Sequence, residues 1–323
     1  MAFAAALGFA FLPAFLMAAF IYWLDRYEKE PLILLGAAFF WGAVVAAGGA
    51  YLINTVFGLG IYALTGSGDV VDQATSSVVA PFVEEGLKGA ALVMIFLAFR
   101  SEFDSILDGI IYAGITALGF AASENVQYIY EHGYRDGGWD GFWQLVFIRD
   151  VVVAWQHPFY TAFIGIGLAF GRLHRGLIVK LVALATGYAL AVSTHSFHNS
   201  FIDLVGGLEG FALGSLIDWI GWFLMAVFIV FMIVRERGLL ERQLKDEVAG
   251  GILSAAQYAR ALSPMTMTLA LVSGGPTAAR FYRLCGELAH KKEQYMRLGD
   301  EKGNAALIRA LRGELNALGA RVR

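Results

Sequence analysis

The sequence predicts an all-α polytopic membrane protein, and three observations carry that prediction. The first is composition. Of 323 residues, 58% are hydrophobic and 16% charged, with a mean hydropathy of +0.61, whereas soluble domains carry about 25% charged residues. The second is length: crossing a bilayer takes about 20 mainly apolar residues, and seven windows qualify, roughly 3–24, 32–58, 75–99, 106–130, 143–170, 177–201 and 210–234. The third is where the basic residues fall. Connections after the first, third and fifth windows carry Arg26 and Lys29, then Arg100, then Arg172, Arg175 and Lys180. The chain after the seventh begins with Arg235 and Arg237, while the remaining connections hold only Arg135. By the positive-inside rule the N-terminus lies outside and the C-terminal tail in the cytoplasm.

The first window has no basic segment before it, so it reads as a retained span and not a cleaved signal. Residues 1–235 then form one membrane core. The chain holds 24 Lys/Arg and 27 Asp/Glu; 9 and 18 of these lie in residues 1–234, leaving 15 and 9 for the rest. That shift marks residues 236–323 as a small cytosolic helical tail, with Leu239, Leu240, Leu244 and Val248, then Leu307, Ile308, Leu311, Leu315 and Leu318, at helical spacing. A break is expected around 273–276, a Ser-Gly-Gly-Pro sequence. The tail shows no catalytic constellation, and His290, beside Lys291 and Lys292, reads as part of a solvated face. Its basic character suits either a position near anionic lipid or an ordinary soluble helical pair. The lone Cys285 excludes an internal disulfide and a thiolate metal cluster, and reads as a small apolar residue. Nothing in the chain suggests nucleic-acid binding.

Function is read from the ionisable residues inside the apolar windows. Such a residue is disfavoured at membrane depth by about 2.5–3.5 kcal/mol and normally faces the bundle interior. The third window carries Glu84, Glu85 and Lys88 after Pro81. Glu84 and Lys88 are neighbours on one helix face, and Glu85 is rotated by about 100°. A structural ion pair accounts for one of these glutamates and leaves the other unneutralised. The fourth window carries Phe120, Glu124 and Asn125 among small residues (Gly114, Ala117, Gly119, Ala121, Ala122, Ser123) that permit close helix approach. The bland reading of Glu124 is a neutral interhelical hydrogen bond. His157-Pro158 sits in the fifth window, where the proline frees the carbonyl of Ala154. Asp150 lies on the same face as His157, and Arg149 reads as an interfacial anchor. The sixth window carries His195 and Asn199 four residues apart, with His198 read as a histidine near the interface. Counting about 1.5 Å per residue, these groups fall in the outer half to the middle of the bilayer on four different helices, which points to one site.

Carboxylates and imidazoles in a hydrated pocket suit two chemistries. Glu84, Glu124, His157 and His195 could ligate a divalent cation such as Zn2+. Alternatively a carboxylate could activate water directly, with His and Asn donors for the oxyanion. Either serves peptide hydrolysis. Neither His-Glu-x-x-His nor Gly-x-Ser-x-Gly is present, and Gly66-Ser67-Gly68-Asp69 lies in an outer connection with no paired membrane aspartate. The ordered set Asp25-Arg-Tyr-Glu-Lys-Glu-Pro31, Pro81-Phe-Val-Glu-Glu-Gly-Leu-Lys88, Asp108-Gly109 leading to Phe120-x-x-x-Glu124-Asn125, His157, and His195-x-x-x-Asn199 resembles the PrsW family of intramembrane proteases, within the wider group of type II CAAX prenyl proteases. The resemblance covers about residues 20–202. It implies Glu84 as the water-activating carboxylate with Glu85 beside it, and His195 with Asn199 as an oxyanion site. Glu124 stands where the prenyl proteases have histidine, a departure that fits PrsW and adds carboxylate to the site. The resemblance further implies an endopeptidase acting near the extracytoplasmic face on single-pass, membrane-anchored proteins such as anti-sigma factors. The rival classes are an ion- or proton-coupled transporter using the same carboxylates, and a catalytically inactive scaffold that binds membrane helices. Inverted repeats would favour transport, and none is visible.

Overall fold

The computed structural model describes residues 1–270, 272, 275–300 and 303–322; residues 273 and 274 of the expected break lie outside the described residues. Among the described residues every regular element is helical: α1 (Ala2–Leu24), α2 (Leu32–Phe40), α3 (Ala47–Thr65), α4 (Gly68–Ala74), α5 (Ala80–Ala98), α6 (Ile106–Gln127), α7 (Asp136–Phe147), α8 (Gln156–Arg172), α9 (Leu177–Val205), α10 (Gly207–Ala249), α11 (Ala255–Ala261), α12 (Thr266–Leu269), α13 (Gly275–Leu298) and α14 (Asn304–Gly319). The π-helical stretch Trp41–Ala46 joins α2 to α3, so that Leu32–Thr65 runs as one rod. Five stretches are long and apolar enough to cross a membrane among the described residues, and the chain is a multi-pass membrane protein.

The centre of the bundle is α6. Nearly every residue from Leu107 to Ala122 is buried, and it starts on a reciprocal cap. The Ser105 hydroxyl accepts from the Asp108 N–H at 3.2 Å, and Asp108 accepts from the Ser105 N–H at 2.7 Å, which satisfies donors that a helix start otherwise leaves orphaned. Two glycines then set how closely its neighbours approach. A Cβ on Gly109 would stand 2.2 Å from the Gly165 carbonyl oxygen of α8, and one on Gly119 would stand 2.1 Å from the Phe39 carbonyl oxygen of α2. Only a residue without a side chain lets backbones meet at this range, the small-residue packing that membrane helices use in place of a hydrophobic drive.

The third window folds as α5, whose buried residues Pro81, Glu84, Glu85, Lys88, Leu92 and Ile95 recur at helical spacing and form one inward face. Two bonds to its backbone hold the helix in place: the Trp41 indole N–H donates to the Leu87 carbonyl at 3.0 Å and the Tyr188 hydroxyl to the Phe82 carbonyl at 2.7 Å. The fifth window is not one continuous helix. The chain breaks at Val153–Trp155, and α8 begins at Gln156, which puts Pro158 in the first turn. There the missing N–H costs nothing, because first-turn donors have no intrahelical partner.

The chain after the seventh window packs against the connection that follows α1. Helix α10 runs unbroken through residues 235 and 236 to Ala249. Its Leu240 and Leu244 share a core with Leu284, Cys285 and Leu288 of α13 and Ile308, Leu311 and Leu315 of α14. Tyr27, from the connection after α1, belongs to the same core. Contact there is at backbone level: a Cβ on Gly286 would stand 2.2 Å from the Tyr27 carbonyl oxygen. His290, expected from its flanking lysines to be solvated, is only 2% exposed. It faces the Asp25–Pro31 connection and not water, because α13 lies down on that segment.

Candidate active site

The intramembrane ionisable groups converge. Helix α5 supplies Glu84, Glu85 and Lys88; α6 supplies Phe120, Glu124 and Asn125; α8 supplies His157; α9 supplies His195. Glu85 and Lys88 are fully buried, and Glu84, His157 and His195 nearly so.

Lys88 is the hub. Its ammonium donates to Glu85 Oε1 at 2.7 Å, lies 3.1 Å from His157 Nδ1, and stands 4.0 Å above the Phe120 ring. Helical spacing favours Glu84 as its partner, but Glu84 Oε2 is 3.6 Å away, beyond a hydrogen bond. The tight pair is the i,i+3 one. Glu85 is then saturated: it also accepts the Thr161 hydroxyl at 2.8 Å and faces His195 Nδ1 at 3.1 Å. A carboxylate bonded to one ring nitrogen turns the other toward its target, so His195 Nε2 looks toward Glu84 Oε2 at 3.9 Å. The His195 ring stacks on Tyr160, centroids 4.9 Å apart.

Glu124 forms the opposite wall. His157 Nε2 lies 3.0 Å from its Oε2, and Arg149 donates to the same oxygen. Arg149 therefore reaches inward instead of anchoring at the interface, and its Nε also donates to Asn125 Oδ1 at 2.7 Å. Asp150 accepts from Asn125 Nδ2 at 2.9 Å and does not contact His157. Asn125 thus bridges Arg149 and Asp150 as a brace for the Glu124 wall. Three carboxylates (Glu84, Glu85, Glu124) meet two basic side chains (Lys88, Arg149), so acids outnumber bases in the cluster.

Two residues of the sixth window lie apart. Asn199 donates to the Ser76 carbonyl at 2.8 Å, tying α9 to the π-helical stretch Thr75–Val79 ahead of α5. His198 is buried, with Nδ1 2.6 Å from Asp218 Oδ2 and Gln156 alongside. Arg149 and Thr161 are residues that sequence reasoning placed elsewhere or passed over. The signal for Arg149 was its place next to an apolar helix start; Thr161 had none, since a threonine on an apolar helix face is ordinary.

Glu84 is the unsatisfied member. Its Oε2 is buried and has no hydrogen-bond partner among the described residues, and Glu84 and Glu124 line a cavity of about 1040 Å³ with Phe120, Ser123, Tyr51 and Asp72. One donor atom each from Glu84, His157 and His195 lies within 4.8 Å of the others. One carboxylate and two imidazoles are a donor set that suits Zn2+ and leaves a coordination position for water. The residues therefore fit a divalent ion, with one condition: Lys88, now 3.1 Å from His157 Nδ1, must then rely on Glu85.

Residues 30–234 match the sequence model of the PrsW family intramembrane metalloprotease. Curated proteins similar to this chain carry the name Protease PrsW. That of Clostridioides difficile (strain 630) is 38% identical over 106 residues, 33% of this chain and 42% of the relative. That of Bacillus subtilis (strain 168) is 27% identical over 221 residues, 68% of this chain and 87% of the relative. That of Geobacillus kaustophilus (strain HTA426) is 27% identical over 121 residues, 38% and 50% of the two chains. The match spans less than half of the first relative and half of the third. No solved structure matches the chain.

Proposed function

This chain belongs to the PrsW family, and from that premise we propose that it is an intramembrane endopeptidase that hydrolyses a peptide bond of a single-pass, membrane-anchored protein near the extracytoplasmic face. The observation that carries the reading is the buried, unpartnered Glu84 oxygen at the wall of a cavity large enough for an extended segment of chain. A satisfied structural carboxylate, such as Glu85, has its oxygens occupied; Glu84 has one held in reserve. In this reading the chain crosses the membrane seven times, with its N-terminus outside and the tail in the cytoplasm, as the basic residues between the apolar windows support.

Glu84 is the base that takes the proton of the attacking water. His195, fixed through Nδ1 by Glu85, presents Nε2 to the same space, and as the imidazolium it donates Nε2–H to the charge developing on the scissile carbonyl oxygen. Asn199, engaged with Ser76, positions α9 against the segment that leads into α5. Glu124 and Arg149 hold the His157 ring, and Lys88 with Glu85 keeps a fixed charge pair beneath the reacting atoms. Where a divalent ion is bound, Glu84, His157 and His195 hold it, with Glu124 behind His157. Such an ion lowers the pKa of a bound water and polarises the carbonyl.

The test is cleavage of a membrane-anchored substrate by the purified chain in proteoliposomes. Glu84→Ala and His195→Ala are each expected to abolish cleavage while the protein remains folded; activity retained in both overturns the site assignment. Stripping divalent ions with a chelator and restoring Zn2+ separates the two hydrolytic schemes. Loss and recovery of activity supports ligation by Glu84, His157 and His195, whereas full activity in metal-stripped protein leaves Glu84 acting on water alone.

A further inference from the structure

A second group of ligand-type residues lies at the opposite end of the bundle. From Asp108, near the start of α6, to Glu124 is 16 residues, about 24 Å along the helix axis. Here three separate parts of the chain meet: Glu28 from the connection after α1, Asp104 from the turn before α6, and His290 from α13. One donor atom from each lies within 4.8 Å of the others.

Acidic clusters are common, but this one contains side-chain atoms that lack partners. His290 is 2% exposed, and its Nε2 makes no hydrogen bond among the described residues. Its Nδ1 lies 2.9 Å from Asp104 Oδ1 and 3.7 Å from Glu28 Oε2. Glu28 Oε2 is also buried without a hydrogen bond among the described residues. A buried polar atom left unpaired carries its desolvation penalty in full, so the unpaired Glu28 Oε2, 3.7 Å from His290 Nδ1, calls for an occupant. Asp104 is already oriented to serve one. Lys291 takes its Oδ2 at 2.6 Å and is itself fixed on the Ser101 carbonyl at 2.7 Å, which leaves Oδ1 turned to the group.

Asp25, Glu30, Asp108 and Glu236 are all buried near these three residues and outnumber the buried cations Arg26, Lys29 and Lys291. Carboxylates gathered out of water are stable only beside compensating positive charge.

We propose that Glu28, Asp104 and His290 form a second divalent-cation site, with two carboxylate oxygens and one imidazole nitrogen as ligands, that clasps α13 to the membrane core. The donor set favours Zn2+ or Mn2+ over the all-oxygen preference of Ca2+ and Mg2+. The ion joins the tail to the Asp25–Pro31 connection, the segment that Gly286 already touches at backbone level. The site is independent of the hydrolytic reading, because none of its ligands belongs to the Glu84 cluster.

The test is the Zn2+ content of the full-length chain in detergent, measured by elemental mass spectrometry after chelator stripping, Zn2+ reloading and desalting. Glu84→Gln protein is used so that the other candidate ligand set is weakened. One equivalent per chain is expected to remain, and His290→Gln added to it should lower Zn2+ affinity at least tenfold. His290 is packed within the tail, so Glu28→Gln, on a connection, is measured beside it and should weaken Zn2+ by at least tenfold with α-helical content unchanged. Full Zn2+ retention in Glu28→Gln overturns the site. So does the absence of tightly held Zn2+ in the Glu84→Gln protein, the result expected if a proton on His290 is the occupant.

Discussion

Glu84 and Glu85 are adjacent in sequence and chemically identical, yet the structure assigns them opposite consequences when neutralised. Glu85 accepts Lys88 at 2.7 Å and Thr161 at 2.8 Å and faces His195 at 3.1 Å, with no solvent exposure. Changing it to glutamine leaves the Lys88 ammonium buried with its next carboxylate at 3.6 Å. Removing one partner of a buried pair costs about 3–5 kcal/mol, a large share of the roughly 5–15 kcal/mol that holds a protein folded. Glu84 has only the 3.6 Å and 3.9 Å approaches to Lys88 and His195 and one unpartnered oxygen. Glu84→Gln removes a poorly compensated buried charge, so stability should change by less than about 1 kcal/mol, the scale of a weak ion pair, or rise. Its catalytic effect is the reverse. Loss of a general base lowers kcat by about 10²–10⁴, which is about 2.7–5.4 kcal/mol of barrier at 1.36 kcal/mol per tenfold. Both variants are compared by cleavage of a membrane-anchored reporter in proteoliposomes and by thermal unfolding in the same detergent. Glu84→Gln within tenfold of the wild-type rate refutes the assignment, and so does a Glu84→Gln protein less stable than Glu85→Gln.

Three further outcomes follow from individual contacts. Gly109→Ala places a methyl 2.2 Å from the Gly165 carbonyl oxygen, which forces α6 and α8 apart and costs about 1–3 kcal/mol or more; an unchanged unfolding temperature would show that the two backbones are not in contact. Thr161→Val keeps the shape and deletes the donor to Glu85 Oε2, for a loss of about 1–3 kcal/mol and slower cleavage through a less firmly held His195, read from the same two assays. Asp25→Asn tests the connection beneath the tail. Burial, opposed by Lys29 and reinforced by Glu236, pushes Asp25 up to about 7. The folded state therefore binds this proton more tightly than the unfolded chain, and stability falls as pH rises from the ordinary carboxylate range near 4 toward 7. The asparagine variant, which retains an oxygen for the Glu30 N–H bonded at 2.9 Å, should be the more stable protein at pH 8 and show a flatter profile between pH 4 and 7. A profile as steep as wild type in that range would contradict the assigned shift.

Much of the site was legible because of a contrast in kind. Charges are so costly in lipid that Glu84, Glu85, Lys88, Glu124, His157 and His195 announce themselves within apolar windows, and the structure brings all six together. Pairing was less legible. Helical phase places both Glu84 and Glu85 within reach of Lys88, and the i,i+3 partner wins, at 2.7 Å against 3.6 Å, on the side where α8 and α9 supply Thr161 and His195. Arg149 looked interfacial because charge next to an apolar run usually is; the turn at Val153–Trp155 directs it back to Glu124. Asn199 shares a helix face with His195, but the π-helical stretch ahead of α5 brings the Ser76 carbonyl within its reach.

By itself, the sequence determined that the chain is helical and membrane-embedded and which ionisable residues turn inward, because hydrophobicity and helical period are properties of consecutive residues. Only the tertiary structure decided which glutamate is saturated and which keeps a free oxygen, and that His290 is buried against Asp104 instead of solvated. Those outcomes rest on distances between segments far apart in the chain, and a hydrogen bond forms or fails within a few tenths of an ångström.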